Sequence, residues 1–315
     1  MQCRHVRIAA LSFMLGLPAT ATAEPIGEKL AMELPIIDTH FHPMPFMTPQ
    51  DLLARINRNN ILHIGGAHTV GTPRNAEFAS ALGDRYIRAE GGQMLTAFKK
   101  GGKDAIENAD NPQFQESFGH IKRAMSDGNV RVISEIFVNS KSSAREAWRR
   151  WKIDGNSTAM QALFNLAASS NIPMLVHAQL QQDDDTFEQL SRLAASNPNG
   201  VLVMGHCGKD ATAARMRDFL NKTPNAVCNL AWRSPPQEKG KDHNVIIWDR
   251  SGIKEEWRQL IEDMPDRFMV GIDDVHDWEQ FDAVVETIRR DLLANLSKAT
   301  AEKVSHQNAK RIFRL

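Results

Sequence analysis

Eight short apolar runs alternate with helix-length segments along this chain, and that alternation limits its fold more than any single residue does. The runs open with Ile36-Ile37 and with Ile61 to Gly66. They continue through a weaker one at Arg85 to Ala89, then Val130 to Ile136, Ile172 to Val176, Val201 to Met204, Ala226 to Leu230 and Arg267 to Ile272. Most lack the two-residue alternation of a half-exposed strand, which suits strands buried on both faces. Helix patterns lie between them at 48–59, 75–82, 112–126, 156–169, 186–196, 211–220 and 253–264, and again at 278–292 and 298–310. Residues 92–111, with their glycines and charges, read as a long loop holding at most one helical turn. Eight strand–helix repeats predict an α/β protein built as a parallel (β/α)8 TIM barrel. A doubly wound open sheet is the alternative, but it expects fewer strands and a glycine-rich first loop. Here the first strand runs into His40-Phe41-His42-Pro43.

The first residues follow a different logic. Arg4 and Arg7 precede an apolar stretch from Ile8 to Leu17, and Ala21-Thr22-Ala23 is a small-residue cleavage sequence. Residues 1–23 therefore read as a secretory signal peptide, leaving 24–315 as a single barrel domain in the periplasm or secreted. The full chain has 38 basic and 38 acidic residues. Cleavage would remove two arginines and no acid, which gives no case for a nucleic-acid partner. No later apolar run is long enough to cross a membrane. A small-molecule substrate is the expected partner, and a homo-oligomer is compatible with the sequence. Cys207 and Cys228 would remain after cleavage. They read as two buried thiols, with a disulfide the alternative for an exported chain.

Residues able to hold a metal gather at one end of the strands. His40 and His42 are two apart, so on a strand they point the same way, and Pro43 stops the strand just beyond them. Glu135 lies late in the fourth strand, His177 after the fifth, His206 after the sixth and Asp273 after the eighth. In a parallel barrel those ends meet at one rim, where barrel enzymes build their sites. Histidine nitrogens with carboxylates suit zinc, and manganese, iron or nickel are compatible.

These pieces resemble the amidohydrolase superfamily of metal-dependent barrel hydrolases, and more closely its amidohydrolase-related branch. The matching stretches are Ile37-Asp38-Thr39-His40-Phe41-His42, Met174-Leu175-Val176-His177, Val203-Met204-Gly205-His206-Cys207-Gly208, Phe268-Met269-Val270-Gly271-Ile272-Asp273 and Asn308-Ala309-Lys310-Arg311-Ile312-Phe313. The resemblance implies that His40, His42 and Asp273 hold the more buried metal, with His177 a ligand or close neighbour. His206 would hold a second metal, or polarise the substrate if there is one. Glu135 stands where the best-known members carry a modified lysine, and a carboxylate there can bridge two ions. One or two metals remain open on this reading. The implied reaction is hydrolysis of an amide, ester or lactone by metal-activated water, with Asp273 as the proton carrier and His206 steadying charge on oxygen.

Three other functions compete. The same branch resembles decarboxylases of aromatic or unsaturated acids. Nucleases of the TatD type also carry a fourth-strand glutamate, but charge and export argue against one. A non-catalytic periplasmic metal-binding or scaffold protein is the last alternative. Other residues near the expected mouth have ordinary readings beside functional ones. His63 reads as structural, and His68 as a possible substrate contact. Trp232 and Arg233 follow the seventh strand, where Arg233 either grips a substrate carboxylate or sits in solvent. Asp274, His276 and Asp277 read as surface caps or as supports for a ligand. Trp148 and Trp151 read as helix packing. The segment 233–251, with His243 and Trp248, reads as a loop insertion over the mouth, either a lid or a surface excursion.

Overall fold

The computed structural model describes residues 24–67, 74–140, 151–237, 245–248 and 252–315. Its central feature is a ring of parallel strands. One run pairs β1 (Ile36–Phe41), β2 (Ile61–Gly66) and β3 (Tyr86–Ile87). The other runs from β4 (Ala89–Gly91) through β5 (Val132–Phe137), β6 (Met174–His177), β7 (Leu202–Gly205) and β8 (Ala226–Asn229). After a small antiparallel pair, β9 (Ile247–Trp248) and β10 (Gly252–Ile253), it ends at β11 (Phe268–Met269). Only Arg88 separates β3 from β4, so they form one barrel strand. The last seam closes where Phe41 bridges Asp273 in parallel, with Thr39 N donating to Val270 O at 3.4 Å and Asp273 N to His40 O at 2.5 Å. The fold is therefore the eight-stranded (β/α)8 barrel that the alternation predicts.

Helices follow each strand and cover the ring. They are α2 (Pro49–Arg58), α3 (Arg74–Leu82), α6 (Pro112–Ser126), α7 (Thr158–Ser169), α8 (Asp184–Ser196), α9 (Ala213–Lys222), α10 (Glu255–Asp263) and α11 (Trp278–Thr287). Several open on a local cap. Thr48, Asn111, Ser157, Asp183, Thr212 and Asp277 each accept a backbone N–H from the first turn, which satisfies donors that the helix itself cannot. A short α1 (Glu28–Glu33) precedes the first strand, and α12 (Lys298–Glu302) and α13 (Asn308–Phe313) end the chain. The loop expected at 92–111 instead contains α4 (Gln93–Gly101) and α5 (Asp104–Glu107). Met94 and Ala97 are buried on α4 and supply the apolar face that a loop would lack.

Two cores result. The larger fills the space between strands and helices. The smaller lies inside the barrel and draws on Ile37, Ile87, Ala89, Val132, Leu175, Val203, Val227 and Met269. Ile312 and Phe313 of α13 plug it from below. The barrel's lower half is thus packed solid, and the open half holds the polar side chains. Along β1 and β5, simple alternation from Ile37 and Val132 would turn Thr39 and Ser134 inward. The β1–β2 ladder slips between Asp38 and Phe41, and the β5–β6 ladder between Ile133 and Ile136. Such slips re-aim side chains, and here they accompany His40 and Glu135 facing the barrel axis.

Cys207 and Cys228 are joined in a disulfide, not held as separate thiols. Of the insertion, the described ends are packed down: Arg233, Ser234, Val245, Ile246 and Ile247 are buried. Residues 238–244, with His243, and 249–251 lie outside the described residues, as do residues 1–23, His68 and Trp148.

Candidate metal centre

Six side chains meet at the upper end of the barrel. His40 comes from β1, His42 from just beyond it, and Glu135 from β5. His177 ends β6, His206 follows β7, and Asp273 follows β11. Three overlapping sets have donor atoms within 4.8 Å of one another: His40, His42 and Glu135; His40, His206 and Asp273; Glu135, His177 and His206. All six predicted site residues are therefore brought together.

Glu135 sits between two histidine pairs. Its Oε2 is 3.6 Å from Nε2 of both His40 and His42. Its Oε1 is 2.7 Å from His177 Nδ1 and 3.2 Å from His206 Nε2. Asp273 closes the other side, with Oδ1 3.6 Å from His42 Nε2 and Oδ2 3.1 Å from His206 Nδ1. His206 Nδ1 also faces Ala231 O at 3.3 Å. That contact leaves Nε2 as the nitrogen aimed at Glu135 and His177.

The electrostatics call for a cation. His40 is fully buried, and among the described residues neither ring nitrogen has a hydrogen-bond partner. A buried imidazole is normally bonded, so these orphaned atoms need another occupant. Burial works to lower the His40 pKa, but Asp273 and Glu135 overcome it and hold the value up at about 9. The same histidines hold Glu135 and Asp273 far below the usual carboxylate range, against the opposite pull of burial. Burial pushes His177 down to about 4, leaving a neutral nitrogen available to a metal. Nitrogen and carboxylate donors around a negative, water-poor centre suit a divalent ion, and the residues present fit one.

Residues outside the donor set hold it in place. Asp38 Oδ1 accepts from His40 N at 3.0 Å and from Ile272 N at 2.9 Å, linking the first and last strands below the ligands. Burial raises its pKa to about 7. Asn229 Nδ2 donates to Thr39 Oγ1 at 2.6 Å, and Thr39 Oγ1 donates to Val270 O at 3.0 Å. Gly66, at φ 80°, lets the second strand approach Thr39 so closely that a Cβ would overlap its carbonyl. A polar residue inside an apolar run was the available signal for Asp38 and Asn229.

The remaining mouth residues sort by contact. Phe137 stacks on His177, with centroids 4.6 Å apart. Trp151 lies against Phe137 and Phe98 and donates Nε1–H to Phe137 O at 3.3 Å. It packs against the larger apolar core together with Phe98. Trp232 lies under the Lys209 ammonium, 5.1 Å from its ring. Asp274 N donates to Asp273 Oδ1 at 2.6 Å, Asp277 caps α11, and His276 N bonds to Gln280. His63 Nδ1 pairs with Asp84 O, away from the centre. Arg233 is 2 % exposed and donates to backbone carbonyls. Neither a substrate grip nor a solvated surface describes it.

Solved structures show the same architecture at low identity. An amidohydrolase from Burkholderia multivorans with bound HEPES aligns at TM-score 0.51 and 16% identity, over 89% of this chain and 99% of its own. A probable 2-pyrone-4,6-dicarboxylic acid hydrolase from Acinetobacter baumannii, with citric acid bound, aligns at 0.51 and 13%, over 89% and 99%. A dihydroxybenzoic acid decarboxylase from Polaromonas sp. JS666, with bound manganese and the inhibitor 2-nitroresorcinol, aligns at 0.52 and 12%, over 90% and 97%. No curated protein matches the sequence. The sequence pattern of the amidohydrolase family matches residues 37–315, which takes in every strand of the ring and all six converging side chains. The chain belongs to the amidohydrolase family.

Proposed function

We propose that this protein hydrolyses an amide, ester or lactone with a divalent metal, zinc first and manganese, iron or nickel as alternatives. The observation that carries the reading is His40, fully buried and without a hydrogen-bond partner, between Glu135 and Asp273. His40, His42 and Asp273 would hold one ion, and His177 and His206 a second, with Glu135 between them. A divalent ion there supplies Lewis acidity and brings the pKa of water toward neutrality. Asp273 takes the proton released in the attack and returns it to the leaving group. If a single ion is held, His206, which faces both Glu135 and Asp273, would instead steady negative charge on the substrate oxygen.

The experiment is a screen of the zinc-loaded protein against lactones, esters and amides, with aromatic acids alongside and carbon dioxide release monitored. Turnover of a lactone, ester or amide that disappears in Asp273→Asn supports hydrolysis. Carbon dioxide release from an aromatic acid, without hydrolysis, replaces this reading with decarboxylation. The Polaromonas neighbour is named for that second reaction. Export to the periplasm or beyond is proposed from residues 1–23, and the Cys207–Cys228 disulfide suits an oxidising compartment. Mass spectrometry of the purified protein beginning at Glu24 would support it; an intact Met1 start in the cytoplasm would not.

A further inference from the structure

The turn that presents His206 is held in a conformation that ordinary residues avoid. His206, Cys207 and Lys209 have φ values of 54°, 49° and 46°, and Gly208 lies between them at 75°. Non-glycine residues seldom occupy this region, and a run of them persists only where the surroundings hold it. The turn's own backbone bonds are local, from Cys207 N to Met204 O, Gly208 N to Gly205 O and Lys209 N to His206 O. Three tethers come from elsewhere in the chain, the first being Leu180 N, which donates to Gly208 O at 3.3 Å. The disulfide ties Cys207 to Cys228 on β8. Arg233 reaches the turn from the start of the insertion.

Arg233 donates from Nη1 to His206 O at 3.0 Å and to Cys207 O at 3.3 Å, and from Nη2 to Ala211 O at 2.8 Å. Its guanidinium carbon lies 5.0 Å from the Trp257 ring centroid. Its own carbonyl accepts from Ile246 N at 2.8 Å, so the returning end of the insertion fixes the arm. The guanidinium fork spans carbonyls at both ends of the turn, which a lysine ammonium, a compact point donor, cannot do.

We infer that Arg233 is a positioning residue for His206, and that anchoring this arm is a function of the insertion. The contact falls on the carbonyl of His206 itself. Moving that peptide moves an imidazole whose two nitrogens lie 3.2 Å from Glu135 and 3.1 Å from Asp273. The inference rests on the reading of His206 as part of the metal centre.

The test is zinc affinity, measured by chelator competition on the full mature chain, for wild type, Arg233→Lys, His206→Ala and the double variant. Circular dichroism and Tm are recorded alongside. Arg233→Lys should keep the wild-type spectrum and bind zinc at least about tenfold more weakly, the usual cost of removing a group that orients a ligand. In the His206→Ala background the same change should cost nothing further, because its effect runs through that imidazole. An independent loss in the double variant, or wild-type affinity in Arg233→Lys, overturns the inference. Wild-type affinity in His206→Ala overturns both the metal reading of His206 and the inference built on it. If Arg233→Lys does not fold, Arg233→Gln is read in the same way. Failure of both to fold assigns Arg233 to barrel stability and overturns the inference.

Discussion

In the proposed reaction Asp273 carries the proton, and its carboxylate faces two candidate ligands. Its Oδ2 is 3.1 Å from His206, its Oδ1 faces His42, and Asp274 N steadies that same oxygen. Asp273→Asn keeps the shape and removes the base, so turnover should fall by roughly a hundredfold to ten-thousandfold with Tm near wild type. Wild-type turnover in that variant would remove Asp273 from the mechanism. At the same scale, Asp38→Ala should weaken zinc binding although Asp38 is no ligand, because His40 N and Ile272 N lose their common acceptor. The ligands themselves were legible because histidines and acids at strand ends are distinctive. The supporting roles of Asp38 and Asn229 were not, because one polar residue in an apolar strand does not show which distant group it will bond. Arg233 was misread because its burial depends on a turn 22 to 27 residues earlier, a contact that only the closed barrel creates.

Among the elements, α8 shows how local charge becomes pH-dependent stability. Asp183 caps it by accepting Thr186 N, and it also bonds Asn139 and Lys152. Burial would raise the Asp183 pKa, but the Lys152 ammonium and those N–H donors hold it below the ordinary value. A carboxyl depressed in the folded state stabilises above its unfolded pKa of about 4, and that contribution fades as pH falls through the folded value. Asp183→Ala should therefore cost about 1 kcal/mol or somewhat more at pH 7. The Tm gap to wild type should narrow below about pH 4; a gap unchanged at pH 3 would rule this account out. The disulfide works at the same scale, closing the segment from β7 to β8. Cys228→Ser should lower stability by roughly 2–4 kcal/mol, measured by denaturant unfolding under oxidising conditions. The strands and most helices were readable from apolar spacing and caps. Helix α4 was hidden by the glycines on both sides of it, Gly91-Gly92 and Gly101-Gly102, which read as loop until Met94 and Ala97 are seen buried.

Across the whole molecule, the barrel stays packed below and negative above, and that division would make a bound divalent ion part of its stability. Two carboxylates and four histidines share the open end, while Ile312 and Phe313 seal the other. The eightfold repeat made this division legible, since it places all C-terminal strand ends on one rim. The two ladder slips that accompany His40 and Glu135 turning inward left no trace in the sequence. Glu135 presents one oxygen to His40 and His42 and the other to His177 and His206, an arrangement that divides the donors into two sets. Elemental mass spectrometry of the purified protein should therefore find two metal equivalents. One equivalent would leave Glu135 as a terminal donor and give decarboxylation equal standing with hydrolysis. An ion that binds the folded chain and not the unfolded one raises Tm by mass action, so a chelator should lower Tm and added zinc should restore it. The shift should shrink as pH falls, because protons compete for the same nitrogens and carboxylates. A Tm indifferent to chelator and zinc at pH 7 to 8, with no metal in the purified protein, would support the non-catalytic scaffold instead.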